Sequence, residues 1–235
     1  MPELIRRPAF AVAALRRYRL RAREKTSFQS VLSADDIIDP TGARTADIRL
    51  EQEGSELRLG FEFPLARGCI REVLTLTPQG EGLRAARLVR SVYTHAELRV
   101  RHEEIDFSDA TIPLPESSYP EVALPFLLSW QPHDGKTRDL YAWINDRFVA
   151  RVEYQSKGKD PVQLDGRRRD AVYVVMYPDF NDWVRLGKVL NKLAYPFLPK
   201  YHMWFDPQPP HAVLRFEGPY GPPGAPEVVM ELVEG

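Results

Sequence analysis

The stretch from Tyr201 to Gly218 (YHMWFDPQPPHAVLRFEG) brings together side chains that could do chemistry. It contains His202, Asp206 and His211 within ten positions. Two imidazoles and a carboxylate could bind a divalent metal ion, or could act as a general acid and base. A metal site requires these groups to converge on one point, and nothing in their spacing forces that convergence.

A β-hairpin is the competing interpretation of this stretch, and we favour it. Side chains alternate between the two faces of a strand, so YHMWF would place His202 and Trp204 on one face and its other three side chains on the opposite face. HAVLRF would form the return strand, with Leu214 and Phe216 on its apolar face. The DPQPP between them is typical of a proline-stiffened reversal, in which aspartate is a common turn residue.

Two further histidines have carboxylates beside them. His95 lies two positions before Glu97, and His102 is followed by Glu103 and Glu104. Each group could supply a general acid and a general base to a cofactor-free enzyme. On alternating strands, however, such residues more often form a solvated polar face.

The sequence lacks the motifs of common catalytic machineries. It has no G-x-S-x-G elbow, no H-E-x-x-H, no P-loop and no dinucleotide fingerprint. Its single cysteine, Cys69, cannot form an intramolecular disulfide, and a buried inert thiol is a commoner role for it than a nucleophile. We therefore predict no catalytic residue, no metal ion and no cofactor.

Composition and charge limit the partners. The 235 residues include 43% hydrophobic and 11% aromatic residues, enough for the core of one domain spanning residues 1–235. Because 32 basic residues nearly cancel 33 acidic ones, we predict no specific nucleic-acid partner. No apolar run approaches the roughly 20 residues that span a bilayer, which leaves only peripheral membrane contact. No clear signal peptide is visible, so a cytoplasmic location is the default expectation, and a periplasmic location is the alternative if the natural N-terminus is longer.

The basic charge is concentrated in residues 1–28, which carry eight basic and two acidic side chains, a net charge of +6. In RRYRLRAR (16–23), alternation places Arg17, Arg19 and Arg21 on one face. That face could contact phosphates or anionic lipid headgroups. The alternative is an edge strand whose charges discourage pairing with other chains.

Two-residue alternation is the main structural signal. It is clear in ELRLGFEF (56–63), recurs in VYTHAELRVR (92–101) and RFVARVEY (147–154), and gives way to a β-branched run in AVYVVMY (171–177). Two stretches, around 119–130 and 181–195, have the apolar content or spacing of short helices. The pattern predicts a mainly β fold: a curled antiparallel sheet with one or two helices on its concave face.

Residues 120–234 resemble the uncharacterised bacterial domain families grouped with the lipoprotein localisation factors. The matching residues are Gly166, Ala171, Val172, Trp204, Asp206, Val213, Leu214, Arg215, Glu217, Glu231 and Leu232. The resemblance implies an open half-barrel of about eleven antiparallel strands with helices on the concave face. In the characterised carriers, that cavity receives lipoprotein acyl chains. The same fold also serves other roles, so it does not by itself define a function.

Our leading hypothesis is a non-enzymatic protein that binds a hydrophobic ligand, a lipid or an acyl chain, in an apolar cleft. The aromatic and apolar residues expected to line this cleft are Phe61, Phe63, Trp143, Val174, Met176, Trp183 and Trp204. Two alternatives stay open: a cofactor-free enzyme using His95, His102 or His202, and a structural protein that acts through contacts with other proteins.

Overall fold

Three of the predicted strand segments, ELRLGFEF, RFVARVEY from Phe148 onward and AVYVVMY, form strands in the computed structural model, which describes residues 3–8, 14–22, 45–110, 112–145, 148–178, 200–219 and 227–233. The prediction of one alternating strand in VYTHAELRVR is wrong, because residues 94–98 form a turn between two antiparallel strands, in which the Thr94 N–H donates to the Leu98 carbonyl oxygen at 3.0 Å. The strands are β1 (Ile5–Arg6), β2 (Ala14–Ala22), β3 (Thr45–Glu53), β4 (Glu56–Leu65), β5 (Gly68–Gln79), β6 (Gly82–Tyr93), β7 (Arg99–Asp106), β8 (Ser118–Pro120), β9 (Thr137–Asn145), β10 (Phe148–Lys159), β11 (Val162–Leu164), β12 (Arg167–Arg169), β13 (Val172–Pro178), β14 (Tyr201–Phe205), β15 (Val213–Pro219) and β16 (Glu227–Leu232).

Fourteen of these strands form one curled sheet. Their order is β1-β6-β5-β4-β3-β2-β16-β15-β14-β13-β10-β9-β8, and β7 pairs with the same edge of β6 as β1 does. The pairs are antiparallel except β8 with β9, which is parallel. The predicted mainly β, curled antiparallel fold is therefore confirmed, with more strands than the resemblance implied.

A helical segment, residues 121–130, packs on the concave face of this sheet. It consists of a 3₁₀ turn (Glu121–Ala123), the short helix α1 (Leu124–Leu127) and a second 3₁₀ turn (Leu128–Trp130). The segment is apolar nearly all round, as expected of a helix enclosed by a core. The Phe126 ring lies 5.5 Å from the Phe61 ring of β4 and 5.7 Å from the Tyr18 ring of β2, measured between centroids. Within the described ranges, no helix could cross a membrane.

The position of β2 in the strand order decides between the two interpretations of its arginines. Strand β2 lies between β3 and β16, so the edge-strand interpretation of its arginines is wrong. It is an internal strand, and its outward face meets carboxylates of its neighbours. The helix predicted at 181–195, together with Trp183, lies outside the described residues.

The two ends of the curled sheet meet at the side chain of Tyr119, in the last strand of the order. Its hydroxyl donates a hydrogen bond to the carbonyl oxygen of Leu83 in β6, at 2.5 Å. The same hydroxyl accepts one from the backbone N–H of Ile5 in β1, at 3.0 Å. Burial raises the pKa of Tyr119, which keeps the hydroxyl protonated as a donor. One phenol therefore bridges the two ends.

Strand β1 fits into this seam because Gly82 leaves room for it. A Cβ atom added at Gly82 would lie 2.5 Å from the Cβ of Leu4. Two polar contacts hold the same segment on the other side: Arg138 pairs with Glu3 at 3.2 Å, and the Gln131 amide reaches the Leu4 carbonyl at 3.4 Å. The N-terminal strand thus closes part of the gap between the sheet's ends.

We expect Tyr119→Phe to lower the free energy of unfolding by about 1–3 kcal/mol, because the buried Leu83 carbonyl and Ile5 N–H lose a shared partner. Urea denaturation followed by circular dichroism measures this loss. Tyr141→Phe, on the neighbouring strand β9, is the matched control and should change the value by less than about 0.5 kcal/mol. Equal stability of the two variants would contradict the role given to Tyr119.

Candidate functional site

The stretch containing His202, Asp206 and His211 forms the antiparallel pair β14 and β15 with a loop between them. His202 lies on the outer face of the sheet, where its Nδ1 and the Tyr173 hydroxyl share a hydrogen bond. The Asp206 carboxylate accepts the backbone N–H of Gln208 at 2.8 Å, as turn aspartates do. His211 contacts the Asp206 carbonyl instead. Nowhere in the described ranges do three or more histidine, cysteine, aspartate or glutamate side chains converge on a possible ion position.

His95 and His102 are exposed, and the carboxylates predicted to assist them are paired with arginines. Glu97 forms an ion pair with Arg71, and Glu104 forms one with Arg87. Among the described residues, the one hydrogen-bond partner of the His102 ring is the Ser91 hydroxyl on β6. The half-buried Cys69 has its pKa raised by burial, which disfavours the reactive thiolate. In neither histidine group does the structure place a carboxylate where it could act together with the histidine as an acid–base pair.

The outward arginines of β2 are likewise paired with carboxylates. Arg17 makes two contacts of 2.8 Å with Asp47, and this ion pair lowers the pKa of the Asp47 carboxyl. The other two pairs are Arg19 with Asp165 at 2.8 Å and Arg21 with Glu231 at 3.3 Å. The three arginines predicted to contact anions are thus each paired with a carboxylate from a neighbouring element.

Five of the predicted ligand residues lie together in the inner core. These are Phe61, Phe63, Trp143, Val174 and Met176, all buried. They belong to one core cluster that also includes residues of the helical segment. For example, the Phe61 ring contacts the Phe126 ring. None of the five lines the cavity described below.

Trp204 does not share the concave face with these residues, contrary to our expectation. Strand alternation turns Met203 and Phe205 inward, so Trp204 faces outward. Its indole N–H donates to Asp160 at 2.8 Å, and its ring stacks on Tyr173 with centroids 5.0 Å apart. The hairpin of β11 and β12 packs on this outer patch.

A β-bulge also changes the face of Leu214. Trp204 pairs with Arg215, but the next residue, Phe205, pairs with Val213, so Leu214 is the extra residue on β15. Leu214 consequently joins the outer cluster with the β11–β12 hairpin, while Val213 faces the inner core. The sequence prediction of Leu214 on the inner apolar face is wrong for this reason.

An apolar cavity of about 500 Å³ lies between the helical segment and the inner faces of β2, β3 and β4. Its wall consists of Ala14, Arg16, Tyr18, Ile48, Leu50, Leu59, Phe126, Ser129, Trp130, Pro209 and Pro210. The residues at its inner end, such as Ile48, Leu59 and Phe126, are buried. Pro209 and Pro210, in the loop between β14 and β15, are exposed and mark its mouth.

Two polar side chains of β2 interrupt this apolar wall. Tyr18 is fully buried, and its hydroxyl has no hydrogen-bond partner among the residues that the structure describes. Burial raises the pKa of Tyr18 to about 12, and the nearby Arg16 guanidinium lowers it only in part. Sequence analysis passed over Arg16, although alternation puts it in phase with Tyr18 and Leu20 on the apolar face rather than with Arg17.

A second, partly buried contact fixes the helical segment to the sheet. The Tyr201 hydroxyl of β14 donates a hydrogen bond to Glu121, the first residue of the segment, at 2.5 Å. Burial raises the pKa of the Glu121 carboxyl from 4.5 to about 7, and the Tyr201 hydrogen bond offsets this only in part. The carboxyl is therefore partly neutral at neutral pH.

Another buried carboxylate, Glu72, lies deeper on the inner face and outside the cavity wall. It accepts a hydrogen bond from Arg90 at 2.6 Å, and Arg90 lies over the Trp143 ring, 5.9 Å from its centroid. Burial raises the pKa of Glu72 despite this partner. We assign the pair a structural role, since breaking a buried ion pair is strongly destabilising.

Comparison with known proteins identifies the fold only. No protein-family model matches the chain, and no curated protein matches it. Among solved structures, it is similar to a β-barrel-like protein of domain of unknown function DUF1849 from Brucella abortus, with a TM-score of 0.54 and 12% sequence identity. The alignment covers 95% of this chain and 97% of that one. The chain thus has a β-barrel-like fold, the class that its strand order and cavity define.

Glu121→Gln should flatten the pH dependence of stability between about 4.5 and about 7. A raised folded-state pKa means that the native state binds more protons than the unfolded state in this window, so stability falls as pH rises through it. The wild type should lose roughly 2–3 kcal/mol across the window relative to the variant, which keeps an oxygen acceptor for Tyr201. Urea titrations at several pH values measure this difference, and equal slopes would contradict it.

Proposed function

We propose that the protein binds a hydrophobic ligand, a lipid or an acyl chain, in the cavity between the helical segment and strands β2 to β4. The observation that carries this proposal is the cavity itself, an apolar space of about 500 Å³ beside the packed core. Ligand sites are commonly concave and apolar, with volumes of roughly 300–1,000 Å³. The cavity falls in the middle of that range.

The wall of the cavity has the polarity that such a ligand needs. Ile48, Leu50 and Leu59 come from adjacent strands and form a continuous aliphatic surface. Phe126 and Trp130 of the helical segment face them across the space. Removing a hydrocarbon chain from water against such a wall contributes about 0.8 kcal/mol per CH₂ group.

The mouth of the cavity offers a route of entry. Burial decreases along the wall from Tyr18 to the partly exposed Leu50 and Trp130, and then to the exposed Pro209 and Pro210. A ligand could therefore enter beside the loop between β14 and β15 without crossing the sheet. The residues we first expected to touch it, such as Phe61, would instead support Phe126 from behind.

The resemblance of residues 120–234 to the lipoprotein localisation families supports the same class of ligand, because their characterised carriers hold acyl chains on a concave face. The β-barrel-like fold shared with the Brucella abortus protein is compatible with an internal site of this kind. Neither comparison names a ligand for this chain.

The proposal predicts that the neutral dye Nile red binds to the protein, with a rise in dye fluorescence on titration. Leu50→Trp places an indole in the cavity and should weaken binding about tenfold or more. Val73→Trp is the matched control: Val73 is 40% exposed, and the cavity wall does not include it, so dye binding should stay unchanged.

Absence of saturable dye binding by the folded wild type would overturn the proposal. Equal weakening by both tryptophan variants would also count against it, because binding would then not take place in this cavity. Thermal unfolding of all three proteins checks that each variant is folded before its binding is compared.

A further inference from the structure

We infer that the ligand of this cavity is an acidic amphiphile, a single apolar chain with a monoanionic carboxylate head, and that Arg16 and Tyr18 bind the head. This inference rests on the proposed function and deepens it by naming the chemical class of the ligand. It is carried by two hydrogen-bond donors in an apolar wall: the Tyr18 hydroxyl, which donates to no described acceptor, and the Arg16 guanidinium, which has no carboxylate partner among the described residues.

Arg16 differs from the other arginines of its strand. Arg17, Arg19 and Arg21 point outward, and each has a carboxylate partner within 3.3 Å. Arg16 points inward to the cavity and has no carboxylate partner among the residues that the structure describes. A guanidinium is always charged and has only donor groups, so in an apolar setting it favours an anionic partner.

Tyr18 supplies the second donor two residues further along the same face. Its hydroxyl is buried and has no partner that satisfies hydrogen-bond geometry among the described residues, although the Arg16 guanidinium lies close enough to lower its pKa. A buried hydroxyl without an acceptor costs about 1–3 kcal/mol. The phenol is neutral at physiological pH, since burial raises its pKa to about 12, and it therefore keeps a proton to donate. Because Tyr18 and Arg16 share a face at successive inward positions, one small head group could accept from both.

The third polar side chain in the wall does not compete for this role. The Ser129 hydroxyl donates to the carbonyl oxygen of Phe126 at 2.6 Å, within the helical segment. The polar groups left available in the wall are thus donors with a single positive charge, opposite Ile48, Leu50 and Leu59. This combination matches a ligand with one negative oxygen-bearing head and an aliphatic body.

The charge count favours a carboxylate over a phosphate monoester. One guanidinium can neutralise one negative charge, and a phosphomonoester carries close to two at neutral pH. The second charge would stay uncompensated beside an apolar wall, which is costly. A neutral alcohol would forgo the charge-assisted hydrogen bonds, which are about twice as strong as neutral ones.

The test compares three ligands of equal chain length in Nile red displacement: dodecanoate, dodecanol and dodecyl phosphate, at pH 8 and below their aggregation concentrations. The wild type should bind dodecanoate with a dissociation constant at least about tenfold lower than that for dodecanol. It should also bind dodecanoate more tightly than dodecyl phosphate. Arg16→Met should weaken dodecanoate binding about ten- to one hundred-fold and leave dodecanol binding unchanged. Arg17→Met, one residue away on the outer face, is the matched control and should leave both unchanged.

Tyr18→Phe gives a second, independent readout if Arg16→Met fails to fold. It should weaken dodecanoate binding about three- to tenfold without affecting dodecanol. Equal affinity of the wild type for acid and alcohol would overturn the inference while leaving the proposed function in place. Preference for dodecyl phosphate would overturn the carboxylate assignment. Failure of Nile red and all three ligands to bind would instead reject the proposed function itself.

Discussion

The hydrogen bonds of one phenol, Tyr119, connect the two ends of the sheet. Backbone ladders hold each strand to its neighbours, but the described strand order contains no ladder between its last strand, β8, and its first, β1. The Tyr119 hydroxyl reaches the carbonyl of Leu83 and the N–H of Ile5 on the far side of the seam. The helical segment begins two residues later, so the strand that closes the seam also delivers this segment to the concave face.

The interior is apolar enough that each buried polar group in it is informative. Tyr119 has two partners, and Tyr201 has the carboxyl of Glu121; both pairs fix the position of an element. Tyr18 is as buried as Tyr119, but its hydroxyl has no such acceptor among the described residues, and it lies in the cavity wall. Satisfied phenols in this fold hold the structure together, whereas the unsatisfied one lies where a ligand could supply the missing acceptor.

Sequence patterning predicted the fold class, because strand alternation is a local property; in β4 it identified Leu57, Leu59, Phe61 and Phe63 as the buried face correctly. It could not predict the bulge that turns Leu214 outward, since a bulge depends on pairing with another strand. Alternation placed Trp204 on the face opposite Met203 and Phe205, but it could not say which of the two faces is concave. The cavity wall combines strands and a loop distant in sequence, so only the three-dimensional structure identified Arg16 and Tyr18 as neighbours of Phe126.

The pairing of β2 with β16 has a kinetic consequence. The contact between Arg21 and Glu231 joins residues 210 positions apart, and β2 contributes Arg16 and Tyr18 to the cavity wall. Non-local pairing of this kind slows folding, because the chain must close a long loop before the contact forms. During synthesis, one edge of β2 therefore stays unpaired until β16 has been made. An unpaired strand edge can associate with other chains, so the strand that carries Arg16 and Tyr18 is exposed to aggregation until the sheet is complete.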